Sequence, residues 1–222
     1  MSGVHVPAIR VHTSVLAAAE KRLLIRLAER MPLRVGSDHL TALAAAAMFG
    51  VGAAFWAGGT WPAAVLLTIP MLALNWFGDS LDGTLARVRR QERPRYGYYV
   101  DHVLDAIGFV WLMGGLVLGG FMSLPVALVF LCSYYLLVIE VSLAVHALGR
   151  FTMSFWRMGP TELRIILAGG AVALFSTPTV QIAGSRWLLF DVGGVIGAAG
   201  LTATFIVSAV RNGLMLYREE RL

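Results

Sequence analysis

Two apolar segments of the chain each carry a pair of aspartates, in the line Asp79-Ser-Leu-Asp82-Gly83-Thr-Leu-Ala86-Arg87, then nine residues, then Gly97-Tyr-Tyr-Val-Asp101-His-Val-Leu-Asp105. A carboxylate near the centre of a membrane helix costs about 2.5–3.5 kcal/mol, so such residues usually face a functional cavity. Spacings of three and four residues place each pair on one helix face, with Cβ atoms roughly 5–6 Å apart. If the two faces meet, they form an all-oxygen pocket suited to hard divalent cations such as Mg²⁺ or Mn²⁺.

The composition around these pairs indicates an integral membrane protein. Of the 222 residues, 58% are hydrophobic and 14% are charged, and the mean hydropathy is +0.73. A soluble domain carries about 25% charged residues. Several apolar runs approach the roughly 20 residues that cross a bilayer. We therefore predict an all-α fold with six transmembrane helices, at about 38–58, 61–86, 98–120, 124–147, 161–177 and 187–210.

The segment before the first span predicts a helix of a different kind. Four leucines between Val15 and Arg30 can share one helix face, while the charged residues gather elsewhere. This pattern is typical of an amphipathic helix that lies in the membrane interface. A short helix packed on the cytosolic end of the bundle is also compatible with it. We assign residues 1–36 to a cytosolic N-terminus with this interfacial helix, and residues 37–222 to the six-helix transmembrane domain.

The basic residues indicate the orientation of the chain. Seventeen of the eighteen Lys and Arg residues fall on one side of the six predicted spans, and only Arg186 falls on the other. Because cytoplasmic flanks are rich in Lys and Arg, both termini are predicted to be cytoplasmic, in a cell (inner or plasma) membrane. The same rule explains the net charge of +5 without a nucleic-acid partner. All four aspartates would then lie roughly 6–12 Å inside the cytosolic ends of their helices, at 1.5 Å per residue.

Four clustered carboxylates repel one another, and metal binding or protonation relieves that repulsion. Two divalent cations would offset the four charges and could clamp a pyrophosphate between them. Arg87 offers a forked donor to phosphate oxygens, and the glycines at 83 and 97 allow a ligand to approach the backbone closely. The remaining arginines of this connection are expected to act only as topology and headgroup charges: Arg89, Arg90, Arg93 and Arg95.

This line of residues resembles the signature of the CDP-alcohol phosphotransferase (CDP-alcohol phosphatidyltransferase) family. That signature has two Asp three apart, then Gly, Ala-Arg, Gly, and two Asp four apart. Every fixed position is met, with nine residues between Arg87 and Gly97 where eight is the commoner count. The resemblance implies six transmembrane helices after an interfacial helix, a homodimer, and a binuclear Mg²⁺ or Mn²⁺ site held by Asp79, Asp82, Asp101 and Asp105. It also implies that Asp105 is the general base, and that the CDP moiety is contacted by Gly83, Ala86, Arg87 and Gly97.

The activity that the resemblance implies is that of a phosphatidyltransferase of phospholipid synthesis. An acceptor alcohol would attack the β-phosphate of a CDP-linked donor, which we expect to be CDP-diacylglycerol, and CMP would leave. Candidates to hold the acceptor lie around the start of the fifth span: Arg150, Arg157, Thr161, Glu162 and Arg164. The arginines favour an anionic acceptor, whereas Glu140 and Glu162 would suit an amine. The acceptor, a CDP-amine donor, and the roles of Glu140 and Asp191 therefore stay open.

Two other functions also stay open. A membrane prenyltransferase binds diphosphate through Mg²⁺ and Asp-rich helices, and Asn75 with Asp79 would suit that chemistry. It belongs to a larger bundle, however, and leaves the Gly83 to Arg87 pattern unexplained. A non-enzymatic divalent-cation transporter would use the aspartates as its pathway. That reading predicts acidic residues on both membrane sides, whereas these four lie in the cytosolic half.

Overall fold

The computed structural model describes residues 17–148 and 160–220, and this part of the chain is almost entirely α-helical. Its helices are α1 (Ala17–Arg30), α2 (Ser37–Gly58), α3 (Thr68–Val88), α4 (Pro94–Leu118), α5 (Leu124–Leu148), α6 (Pro160–Ser176) and α7 (Leu189–Glu219). A 3-10 segment, Pro62–Leu67, leads directly into α3. Two short strands, β1 (Thr179–Ile182) and β2 (Ser185–Leu188), join α6 to α7.

Five of the six predicted spans are helices long and apolar enough to cross a membrane, within the residues described. They are Ser37–Gly58, Pro62–Val88, Pro94–Leu118, Leu124–Leu148 and Leu189–Glu219. The prediction of a multi-pass membrane protein is therefore confirmed. The predicted fifth span corresponds to α6, which has 17 residues. At 1.5 Å per residue α6 is roughly 25 Å long, shorter than the ~30 Å hydrocarbon core.

The hairpin between α6 and α7 was not predicted. Its strands pair antiparallel, with Val180 opposite Trp187. The two residues at its turn, Ala183 and Gly184, have φ angles of 50° and 81°. Two consecutive positive φ angles are the geometry of a tight hairpin turn, which Asn-Gly or Asp-Gly usually supplies. The Ala-Gly dipeptide is a weak signal for such a turn, because alanine rarely adopts a positive φ.

The core lies where α2 crosses α3 and α4. Phe55 of α2 is fully buried with Leu72 of α3 and Leu116 of α4. The helices approach so closely that a methyl group added at Gly115 would lie 2.2 Å from the carbonyl oxygen of Gly52. Small residues at such crossings let two membrane helices bring their backbones together. Close backbone contact at this point therefore fixes the distance between α2 and α4.

Helix α1 packs against the bundle through Leu24 and Ala28. Both side chains are buried in a cluster with residues of α2 and α3, namely Leu40, Leu81 and Leu85. Leu23, on the same predicted face, is 46% exposed. The contacts of Leu24 and Ala28 are those of a helix packed on the bundle, the alternative that the sequence also allowed. Leu23 stays exposed on the same helix.

The expectation that Arg89 is only a topology charge is wrong. Its guanidinium donates hydrogen bonds to the carbonyl oxygens of Met31 (2.9 Å), Pro32 (2.9 Å) and Val35 (2.6 Å). These carbonyls lie in the connection after α1, outside any helix, where backbone groups need other hydrogen-bond partners. Arg89 therefore ties the α1–α2 connection to the end of α3.

We expect Arg89→Gln to lower the free energy of unfolding by roughly 1–3 kcal/mol, because it removes charge-assisted hydrogen bonds to three carbonyl groups. Thermal melting of the purified protein in detergent measures this loss. Arg95→Gln is the matched control, since it removes the same charge from an exposed position at the start of α4. Equal melting temperatures for the two variants would contradict the role assigned to Arg89.

Two acidic residues whose roles the sequence left open connect helices. Asp191 of α7 accepts a hydrogen bond from the backbone amide of Ser123 at 2.7 Å, directly before α5. Glu140 of α5 is buried and accepts a hydrogen bond from the Asn212 side chain of α7 at 2.8 Å. Side-chain hydrogen bonds of this kind hold membrane helices together. Both residues thus have structural contacts at α7.

Candidate active site

Helices α3 and α4 bring three of the four aspartates together. Carboxylate oxygens of Asp79, Asp101 and Asp105 all lie within 4.8 Å of one another. Asp79 and Asp101 are half-buried, whereas Asp105 is exposed. Three convergent carboxylates offer only oxygen ligands, which are the ligands that Mg²⁺ and Mn²⁺ prefer. The residues present at this point fit a divalent cation.

The fourth aspartate, Asp82, is directed at the start of α2. Its Oδ2 accepts a hydrogen bond from the Thr41 hydroxyl at 2.7 Å, and its Oδ1 lies 2.5 Å from the backbone nitrogen of Gly83. The hydroxyl of Ser37 donates to the backbone carbonyl of Asp82 at 3.0 Å. Helical spacing put Asp82 on the face of Asp79, but it could not show that Thr41 would hold the Asp82 carboxylate.

Arg164 of α6 reaches the same group of carboxylates from a third helix. Its Nη2 donates to Oδ2 of Asp79 at 2.5 Å, and its Nε donates to Oδ1 of Asn75 at 2.8 Å. The Asn75 amide nitrogen in turn donates to the backbone carbonyl of Ala44 at 2.9 Å. Asn75 is buried and lies one helical turn before Asp79. This role of Asn75 was not predicted; its signal in the sequence is a polar residue in an apolar run, four positions before Asp79.

The other residues predicted to hold the acceptor have different surroundings. The Thr161 hydroxyl donates to Oε1 of Glu20 at 2.9 Å, and the same oxygen accepts a hydrogen bond from the Trp76 indole at 2.6 Å. Glu162 lies in the first turn of α6 and is half-buried. The two predicted arginines of the preceding connection, Arg150 and Arg157, lie outside the described residues. Helical periodicity did not predict the contact between Glu20 of α1 and Thr161 of α6.

The residues predicted to contact CDP lie at the C-terminal end of α3 and the N-terminal end of α4. Gly97 is exposed, and a methyl group added there would meet no atom within 4 Å. A methyl group on Gly83 would lie 3.5 Å from the Arg87 guanidinium. That guanidinium is exposed and donates to the Thr84 hydroxyl at 3.1 Å. The structure thus leaves open backbone at Gly97, while Gly83 is half-buried beside the exposed Arg87.

Ala86 lines a cleft of about 470 Å³. The rest of the lining comes from the start of α2 and from the α3–α4 connection, at residues 36–39, 85 and 91–93. Asp38 and Arg93 form an ion pair at this cleft, and the Arg93 guanidinium lies 4.4 Å from the centre of the Tyr96 ring. The cleft falls within the ~300–1,000 Å³ range of small-molecule sites. Arg93 therefore contacts Asp38 and Tyr96, whereas the sequence predicted for it only a role as a topology charge.

The sequence matches the model of the CDP-alcohol phosphatidyltransferase family over residues 37–208. Neither the curated proteins nor the solved structures include a significant match to the chain. The matched region contains both acidic pairs, all residues of the cleft beside Ala86 except Gly36, and the ion pair between Arg164 and Asp79. Because the match covers residues 37–208 of 222, the chain belongs to the CDP-alcohol phosphatidyltransferase family, whose members transfer a phosphate-linked group from a CDP-alcohol.

Proposed function

We propose that this protein is a membrane phosphatidyltransferase of phospholipid synthesis. It transfers a phosphatidyl group from CDP-diacylglycerol to an alcohol and releases CMP. The observation that carries this proposal is the convergence of Asp79, Asp101 and Asp105, whose carboxylate oxygens lie within 4.8 Å of one another in a chain of this family. The apolar helices around the site suit a donor with two acyl chains, because its tails can stay in the bilayer while its diphosphate reaches the carboxylates.

In the proposed reaction, the Asp105 carboxylate takes the proton of the acceptor hydroxyl. The acceptor oxygen attacks the β-phosphorus of the donor, the bond between that phosphorus and the bridging oxygen breaks, and CMP leaves with the electron pair. Two Mg²⁺ or Mn²⁺ ions, when bound, would polarise the phosphorus and stabilise the leaving group. The residues that would hold them are Asp79, Asp82, Asp101 and Asp105. The residues that would bind the CDP moiety are Gly83, Ala86, Arg87 and Gly97.

The membrane arrangement that fits this chemistry has six spans, with α6 as the fifth. Arg164 of α6 bonds to Asp79 of α3, so the two helices lie side by side at the site. The distribution of the basic residues supports cytoplasmic termini in a cell membrane. Helix α1 would lie at the cytoplasmic interface, with its exposed Arg22 and Arg26 available to lipid headgroups. We further propose that the protein is a homodimer.

The acceptor would enter beside the start of α6. Thr161, Glu162 and Arg164 lie on the first turns of this helix, and Arg164 contacts one of the clustered aspartates. Arg150 and Arg157 of the preceding connection favour an acceptor that carries a phosphate or another anionic group, and the positive charge of Arg164 favours it without direct contact. The proposed acceptor is therefore an alcohol with a negative charge near its hydroxyl.

The test of this function is release of CMP by the purified protein in detergent. With CDP-diacylglycerol, Mg²⁺ and a panel of alcohols, we expect CMP and a new phospholipid to form in equal amounts. EDTA should stop the reaction, and added Mg²⁺ or Mn²⁺ should restore it, because the carboxylates need cations to hold the diphosphate. The acceptor alcohol is identified from the headgroup of the product lipid.

Two outcomes would replace the proposal. Release of inorganic diphosphate from a prenyl donor, with no CMP from CDP-diacylglycerol, would favour a membrane prenyltransferase. Uptake of divalent cations into liposomes, with no binding of a CDP-linked lipid, would favour a transporter. The same protein preparation serves all three assays, so their results can be compared directly.

A further inference from the structure

We infer that Arg164 is a positioning residue that fixes the carboxylate of Asp79 for metal binding, with Asn75 as its second anchor. The inference rests on the proposed function, since it assumes that Asp79 holds a metal ion. It gives Arg164 a role different from the acceptor contact that the sequence suggests. It also gives a role to Asn75, which lies outside the motif.

The geometry of the guanidinium carries this inference. Two different nitrogens of Arg164 bind two side chains of α3, at 2.5 Å to Asp79 and at 2.8 Å to Asn75. Asn75 and Asp79 are four residues apart, so they lie on one face of the helix, one turn from each other. The planar fork of arginine can hold both at once, whereas the single ammonium of lysine is a point charge.

Asn75 is itself held in place. Its side-chain nitrogen donates to the carbonyl of Ala44 in α2 at 2.9 Å, and only 6% of the residue is exposed. An amide that uses its nitrogen on a backbone carbonyl presents its oxygen in a fixed direction. This oxygen accepts from Nε of Arg164, so the guanidinium plane has one defined orientation when it meets Asp79.

The start of α6 has a second attachment. Thr161, one turn before Arg164, donates to Glu20 of α1, and Glu20 also accepts from Trp76 of α3. Helix α6 is therefore fixed to α3 directly through Arg164 and indirectly through Glu20. Two attachments one turn apart limit both the rotation and the sliding of α6, so the position of Arg164 is set by the fold.

A cation next to a metal ligand has two opposing effects. The positive charge of Arg164 repels a bound metal ion, which weakens metal binding. Its hydrogen bond orients the Asp79 carboxylate, whose remaining lone pairs can still bind a metal ion, and this orientation strengthens metal binding. The side chains of Arg164 and Asp79 are only 14% and 26% exposed, so water does not replace the lost contact fully. Loss of such an orienting partner typically weakens metal affinity about 10–100-fold, and we expect orientation to outweigh repulsion.

The experiment measures Mn²⁺ binding to the metal-free protein in detergent, by the electron paramagnetic resonance of free Mn²⁺ and without any lipid substrate. Arg164→Gln should bind Mn²⁺ about 10–100-fold more weakly than the wild type. Arg164→Lys should recover part of the affinity. Asn75→Leu should also weaken binding although the arginine and its charge remain. Arg186→Gln, which removes the same charge from the exposed hairpin, should bind like the wild type.

Kinetics separate positioning from acceptor binding. At saturating Mn²⁺, the KM for the acceptor should change less than about twofold in Arg164→Lys, because a positioning residue does not touch the acceptor. Unchanged or tighter Mn²⁺ binding by Arg164→Gln, in a wild type that binds Mn²⁺ and releases CMP, would overturn the inference alone. A large rise in the acceptor KM with unchanged Mn²⁺ affinity would also overturn it. Absence of Mn²⁺ binding in the wild type would overturn the proposed function together with the inference.

Discussion

An Asp105→Asn variant should release almost no CMP from CDP-diacylglycerol, while it still binds part of the donor that the wild type binds. The amide cannot take the proton of the acceptor hydroxyl, and loss of a general base costs about 10²–10⁴-fold in rate. The substitution keeps one oxygen in nearly the same place, so the site retains some contact with cations and with the donor diphosphate. Initial rates of CMP release and equilibrium binding of the CDP-lipid measure the two effects separately.

Asp191→Asn is the matched control for this substitution. Asp191 accepts a hydrogen bond from the Ser123 amide, and the oxygen of an asparagine can accept the same bond. The Asp191→Asn variant should keep the wild-type rate of CMP release, since residue 191 lies outside the cluster of Asp79, Asp101 and Asp105. A wild-type rate in Asp105→Asn would refute the role of Asp105 as base. Loss of activity in both variants would point to a general sensitivity of the fold to charge.

A Gly78→Ala variant should lose both stability and activity, although it adds only one methyl group. That methyl group would lie 2.5 Å from the carbonyl oxygen of Leu40 and 2.8 Å from the backbone nitrogen of Ala44. Both neighbours are backbone atoms of α2, so the helices must move apart. Overpacking of this kind costs roughly 1–3 kcal/mol, and a shift of about 1 Å near a catalytic site can cost 10²-fold in rate.

The loss of activity would follow from two contacts that cross the same helix pair. Thr41 of α2 binds the Asp82 carboxylate, and the Ala44 carbonyl binds Asn75. Gly114→Ala is the control, because a methyl group there meets no atom within 4 Å. It should melt at or above the wild-type temperature, since alanine favours a helix over glycine by up to about 1 kcal/mol. Wild-type CMP release and melting by Gly78→Ala would contradict the close approach of α2 and α3.

Particular residues show why some elements could be predicted and others could not. Five of the predicted spans follow from long, predominantly apolar runs, which indicate membrane helices in a chain this poor in charge. The hairpin was missed because its turn uses Ala183-Gly184, and Ala183 adopts a φ of 50° that its side chain disfavours. The contacts of Arg89 were not predicted because its partners are backbone carbonyls in the connection between α1 and α2, which no side-chain pattern encodes.

The candidate site likewise has a part that the sequence could predict and a part that it could not. Spacings of three and four residues placed Asp79 with Asp82 and Asp101 with Asp105, because helix geometry fixes neighbours along one face. The same spacings say nothing about rotation of one helix against another. The rotation actually present directs Asp82 to Thr41 and joins Asp79 to the α4 carboxylates. It also brings Arg164 to Asn75 across 89 positions of sequence.

The sequence alone determined that this chain is a multi-pass helical membrane protein with two acidic helix faces, and its motif line determined the family. These properties depend on composition and on local periodicity, which each segment carries by itself. Only the tertiary structure decided which carboxylates converge, which one turns to α2, and which cation binds Asp79. Those contacts depend on the close crossing of α2 and α3 at Gly78 and on the attachment of α6. Packing between distant segments sets both of them, and no single segment contains that information.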